Sequence, residues 1–197
     1  MSVTDTLAAQ LMDVFGPRLK MVAAFGTESN TCAIVESLVI ADLDRCAALA
    51  PGWKRLGVEP PLLILVDELT RALDAFPLEF NEIITTRRLI AGTDLLESLS
   101  VPAEDVRRAC EVQARGHLVH LREAYIEASG DQRAIAQLLS ASTVPFRALL
   151  SNVARLAGTT LDELMRTLDV SYLTKGFPDA LRAAERLVEY VDRWKKK

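Results

Sequence analysis

The stretch Leu19-Lys20-Met21-Val22-Ala23-Ala24-Phe25-Gly26 decides how the first half of this chain is read. A short apolar run closed by glycine predicts a buried strand. The next apolar run, Ala33-Ile34-Val35-Glu36-Ser37-Leu38-Val39-Ile40, is rich in β-branched residues and predicts a second strand, paired with the first across a polar turn at 27–31. Upstream, Leu7, Leu11, Val14 and Phe15 recur at helical spacing until Gly16-Pro17 stops them. Downstream, Asp42 or Asp44 opens a helical stretch to about Leu56, interrupted at Pro51-Gly52. The continuous run Leu62-Leu63-Ile64-Leu65-Val66 predicts a fully covered strand, and Asp67 caps a helix running to Phe76. Residues 78–84 alternate as a strand does, and 88–90 form a short strand or turn before Gly92.

From Pro102 onward only helical periodicity remains. Val106, Cys110, Leu118, Leu121 and Tyr125 lie on one stripe that ends at Ser129-Gly130. Further helices are expected at 132–139, 143–156, 161–168 and 179–194, and short connections favour an antiparallel bundle. In 143–156 the stripe Phe146, Leu149, Leu150, Val153 and Leu156 is a bundle core, with a dimer interface as the lesser alternative. The expected division is therefore an α/β domain at 1–99 and a helical bundle at 100–197.

The 197 residues are half apolar and a quarter charged, which excludes a disordered polymer, and three widely spaced cysteines exclude a disulfide framework. No apolar run approaches the roughly 20 residues that span a bilayer, and the first residues lack a signal-peptide pattern. A cytoplasmic protein without membrane contact is expected. The net charge of −4 combines −6 over residues 1–100 with +2 over the remainder. An acidic first half is poorly suited to gripping a nucleic-acid backbone, and Lys195-Lys196-Lys197 reads as a solvated helix end.

Three passages carry a resemblance. They are Val22-Ala23-Ala24-Phe25-Gly26-Thr27, then Leu73-Asp74-Ala75-Phe76-Pro77-Leu78-Glu79-Phe80, then Arg115-Gly116-His117-Leu118-Val119-His120-Leu121-Arg122-Glu123-Ala124-Tyr125. In order and spacing they resemble the nucleotidyltransferase superfamily, the DNA polymerase beta-like fold. They are similar above all to a bacterial group with a helical C-terminal extension. The resemblance covers most of the chain, and the middle passage is its most specific part. It implies an α+β fold: a mixed sheet with flanking helices, followed by a helical bundle. In active members a strand ends in Gly-Ser, which holds the nucleotide phosphates. Two acids one residue apart on the next strand and a third on a later strand then hold Mg²⁺.

Carried onto this chain, the resemblance makes Gly26 and Thr27 the nucleotide-binding turn and Glu79 the third, catalytic acid. The acid pair is missing: the second strand offers Val35 and Ser37, with Glu36 on the opposite face. The arginine and glycine that follow Gly-Ser are replaced by Glu28-Ser29-Asn30. Asp42 and Asp44 have the i, i+2 spacing but precede a helix, where capping is the simpler account. Two readings follow. In the preferred one the chain is a catalytically degenerate scaffold that binds a nucleotide, another ligand or a partner, with homodimerisation through the helical half. In the alternative it is a Mg²⁺-dependent enzyme transferring a nucleoside monophosphate to a small molecule or protein. Glu79, Glu36, Asp42 and Asp44 would then supply the metal ligands.

Other constellations are weaker. His117 and His120 lie three apart on a helix but lack a third ligand at motif spacing, and Arg115 with His120 matches an unspecific R-x4-H spacing. No nucleophile elbow, Walker loop or dinucleotide-binding glycine motif occurs.

Overall fold

The structure, a computed structural model, describes residues 2–170 and 176–196. Its chain forms two compact units, 1–101 and 102–197. The fold is α+β: a four-stranded mixed sheet with flanking helices, followed by a purely helical region. Among the described residues no helix is long and apolar enough to cross a membrane. Lys197 and the side chains of Lys195 and Lys196, expected as a solvated end, lie outside the described residues.

Unit 1 begins with α1 (Val3–Phe15). Ser2 and Asp5 form a reciprocal capping box there, and Leu7, Leu11, Val14 and Phe15 make the buried stripe. A short 3-10 turn leads into β1 (Leu19–Phe25), which pairs antiparallel with β2 (Thr27–Val35) and with β4 (Arg88–Gly92). β2 pairs in parallel with β3 (Leu62–Leu65), giving the order β3-β2-β1-β4. Side chains alternate across this sheet and build two cores. Val22, Ala33 and Val35 face α1 and α2 (Ile40–Arg55), with Trp53 filling that layer. Met21, Ala23, Cys32, Ile34 and Ile64 face α3 (Leu69–Ala75) and α4 (Pro77–Thr86). Each large apolar side chain buried this way contributes about 1.5–3 kcal/mol.

Five expectations are corrected. The polar stretch 27–31 is strand, because Gly26 at φ +60° turns the chain in one residue and sets Thr27 directly against Phe25. The second strand ends at Val35 instead of running to Ile40. Asp42 accepts the Val39 N–H at 3.1 Å, which starts α2 at Ile40, and that helix continues through Pro51 without a break. Residues 78–84 are helix, since Pro77 at the first helical position presets φ and Leu78, Phe80 and Ile83 form the buried side. β3 is an edge strand rather than a covered one, and Leu62 is 45% exposed.

Unit 2 contains α5 (Ala103–Glu127), α6 (Gln132–Leu156), α7 (Leu161–Thr167) and α8 (Phe177–Asp192). α5 packs on both α6 and α8 through Val106, Cys110, Ala114 and Leu121. Asp131 caps α6 through the Arg133 and Ala134 N–H groups. The expected break at 139–143 is absent: α6 runs through Pro145, which is solvent-exposed, while the Ser142 and Thr143 hydroxyls donate back to the Leu139 carbonyl.

Candidate functional site

The turn at Gly26 is held by α4. The Gly26 N–H donates to Thr86 Oγ1 at 2.8 Å, and the Thr86 hydroxyl in turn donates to the Glu82 carbonyl at 2.7 Å. A Cβ at Gly26 would lie 2.8 Å from Glu82 Oε1, so the Glu82 carboxylate sits directly over the turn. Thr27 Oγ1 shares a hydrogen bond with Ser29 Oγ at 2.8 Å. The amide and the hydroxyl expected to meet phosphate therefore both have partners within the chain. The Glu82 carboxylate over the turn has the sign that repels phosphate. Sequence reading passed over Glu82 and Thr86 because it placed 78–84 in a strand.

The acids are distributed over both sides of the sheet. Glu36, just after β2, pairs with Lys20 at 2.6 Å, and the Lys20 ammonium lowers its pKa. Asp42, 4% exposed in the first turn of α2, accepts both ends of the Arg18 guanidinium at 2.7 and 2.8 Å. That bidentate bond, helped by the Val39 N–H, brings the Asp42 carboxyl down to about 2. Asp44 is exposed on the same helix. Glu79 is exposed on α4, which packs against the opposite face of the sheet from α2. The structure thus does not bring Glu36, Asp42, Asp44 and Glu79 together. Among the described residues no group of three or more His, Cys, Asp or Glu side chains is placed to hold a metal ion. The physical reason is that α2 and α4 cover different faces of one sheet, whereas Mg²⁺ needs its oxygens at about 2.1 Å.

Glu79 instead borders a cavity of about 690 Å³ between β3, α3 and α4. Its floor is apolar, from Leu62, Ile64, Phe76 and Phe80, and Ala72 and Ala75 leave room along α3. Glu68 at the rim is engaged, accepting the Leu65 N–H at 3.1 Å. Arg71 and Glu79 reach the same cavity and, among the described residues, neither makes a hydrogen bond or ion pair. The signal for this cavity was present in the sequence as small residues at i, i+3 on a short helix preceding an aromatic, a pattern too common to single out.

In unit 2 the two histidines separate. His117 turns inward and stacks on Phe146, with ring centroids 4.7 Å apart, and burial pushes its pKa down. His120 turns outward, within 3.2 Å of Glu123 Oε2. Arg115 donates to Asp192 of α8. The R-x4-H residues thus have separate structural partners.

No family model matches this chain, and neither does any curated protein. Among solved structures, a chain in the crystal structure of a mutant of the toxin–antitoxin MntA–HpeT is similar. It is 15% identical, with 64% of this chain and 97% of that chain covered, at a TM-score of 0.34.

Proposed function

We propose that unit 1 is a nucleotidyltransferase-like scaffold that binds a ligand in the cavity between β3, α3 and α4 and does not carry out two-metal phosphoryl transfer. The observation that carries this reading is the division of the candidate acids between the two faces of the sheet, with Asp42 committed to Arg18 and to the start of α2. A lone carboxylate at Glu79 cannot bridge a triphosphate and an attacking hydroxyl through metal. The partnered amide of Gly26 and the carboxylate of Glu82 beside it support the same conclusion for the phosphate turn. The cavity favours a ligand with an apolar body, and Arg71 and Glu79 are its available polar handles.

Calorimetric titration with ATP and Mg²⁺, followed by chromatography for released pyrophosphate, tests the proposal. The expected result is no Mg²⁺-dependent binding and no product. Tight Mg²⁺-dependent binding with turnover would overturn it and restore the active reading with Glu79, Glu36, Asp42 and Asp44 as ligands after rearrangement.

A further inference from the structure

The edge strand β3 presents the main chain of one residue to the unit 1 cavity. Leu63 lines that cavity, yet its side chain packs on the opposite side of the sheet, against the core that contains Trp53. Its peptide groups are therefore what it shows the cavity. The neighbouring hydrogen bonds agree. The Leu65 N–H donates to the Glu68 carboxylate at 3.1 Å, so Leu65 faces the free edge of the sheet. Strand residues alternate in the edge they face, which turns Leu63 outward with Leu65 and leaves Leu62 and Ile64 to bond β2. Among the described residues no side chain or loop backbone bonds to Leu63. Pro61, just before β3, has no N–H, and Glu68 occupies the Leu65 N–H, so the open part of the edge is the N–H and carbonyl of Leu63.

We propose that the cavity's ligand is an extended peptide that adds to β3 as a fifth strand. This rests on the ligand reading of unit 1 and names the ligand's class. In an antiparallel pair the peptide residue opposite Leu63 donates its N–H to the Leu63 carbonyl and accepts the Leu63 N–H. Its side chain points with that of Leu63, away from the cavity. The residues before and after it point with Leu62 and Ile64, into the space lined by Ala72, Ala75, Phe76 and Phe80. The peptide therefore carries two apolar residues separated by one of any polarity. An apolar molecule without a main chain would cover the Leu63 N–H and carbonyl and leave both unpaired. The four residues of β3 span about 13 Å, which fits a segment of about four residues. Charge defines the fourth position. Glu68 ties the start of α3 to Leu65, and Arg71 stands one helical turn further on; among the described residues it has no ion pair. The N-terminal end of an antiparallel peptide lies beside Leu65, so an acidic residue ahead of the apolar pair meets Arg71.

Fluorescence polarisation of the full chain with three labelled, end-blocked peptides, Glu-Leu-Thr-Leu, Glu-Val-Thr-Val and Glu-Phe-Thr-Phe, tests this. At least one should bind saturably. Methylating the Thr nitrogen of that peptide, which is aimed at Leu63, should weaken binding at least tenfold. Methylating the nitrogen of the apolar residue after it, which faces away, should change binding less than threefold. Arg71→Glu should weaken binding at least fivefold, and a peptide that begins with Lys should recover most of the loss. Failure of all three peptides while anilinonaphthalene sulfonate still binds would overturn strand addition and leave the cavity reading standing. Failure of peptides and dye together would overturn both. Equal effects of the two methylations, or no loss with Arg71→Glu, would overturn the proposal as well.

Discussion

Gly92 ends β4 with φ +83°, beside the backbone of β1. A methyl group there would overlap the Lys20 carbonyl oxygen, with the Lys20 carbonyl carbon at 2.8 Å and Met21 Cα at 3.1 Å. Those are backbone atoms of a central strand and cannot rotate away. Gly57 has nearly the same conformation, φ +77°, but open space where its Cβ would stand. Gly57→Ala should therefore cost only the left-handed penalty, about 1–2 kcal/mol. Gly92→Ala pays that penalty and must also push β4 off β1. This breaks the 3.0 Å bond from the Thr93 N–H to the Lys20 carbonyl and frays the Met21–Gly92 end of the ladder. One or two hydrogen bonds at about 1 kcal/mol each bring the expected loss to about 2–4 kcal/mol. Urea unfolding followed by fluorescence of Trp53, which is fully buried in unit 1, measures both variants in one transition. Equal losses for the two variants would refute the argument, since the conformational term is matched and only the overlap differs.

Three further outcomes are expected. Asp42 is held at about 2 against an ordinary 3.8, so its stabilising bond to Arg18 is fully present above about pH 4 and is lost as pH falls toward 2. Asp42→Asn should flatten that acid limb in thermal melts between pH 2 and 5, and an unchanged limb would contradict the assignment. His117 resists protonation while folded, so stability should fall as pH drops below about 6.5. His117→Phe, which keeps the ring on Phe146, should remove that sensitivity, read from melting temperature at pH 5 against pH 7. In the unit 1 cavity, anilinonaphthalene sulfonate should bind through its apolar rings. Ala72→Trp should fill the space and abolish the fluorescence enhancement, while Arg71→Ala should weaken binding several-fold; enhancement that survives Ala72→Trp would place the dye elsewhere.

The α/β half was legible where periodicity and chain breakers agreed. β1 shows it, with its apolar run closed by Gly26, and so does α1, with Gly16-Pro17 after a clean stripe. Legibility failed where a short window supports two periods. Leu78 and Phe80 satisfy an alternating pattern, while Phe80 and Ile83 satisfy a helical one, and Pro77 at the first helical turn tips the balance toward helix. The break expected at 139–143 fails in the other direction, because an exposed proline ring can ride on a long helix that is held by its buried Phe146, Leu149 and Leu150. The capping role of Asp42 could be read from its position at a helix start. Its bidentate bond to Arg18 could not, since twenty-four residues separate the two and only the fold closes that distance. The same limit hid Glu82 and Thr86, whose relation to Gly26 spans more than fifty residues.

The hydrogen bond between Gly26 and Thr86 has a bearing on any attempt to build an anion site at this turn. Changing Thr27→Ser would create a Gly-Ser dipeptide and leave the amide occupied and Glu82 in place. Anion capture at the hairpin has to be unlocked from α4, by removing the Thr86 hydroxyl and the Glu82 charge together. Helix and hairpin are in that sense one latch. A variant library aimed at new phosphate chemistry should therefore begin on α4 and not at the turn itself.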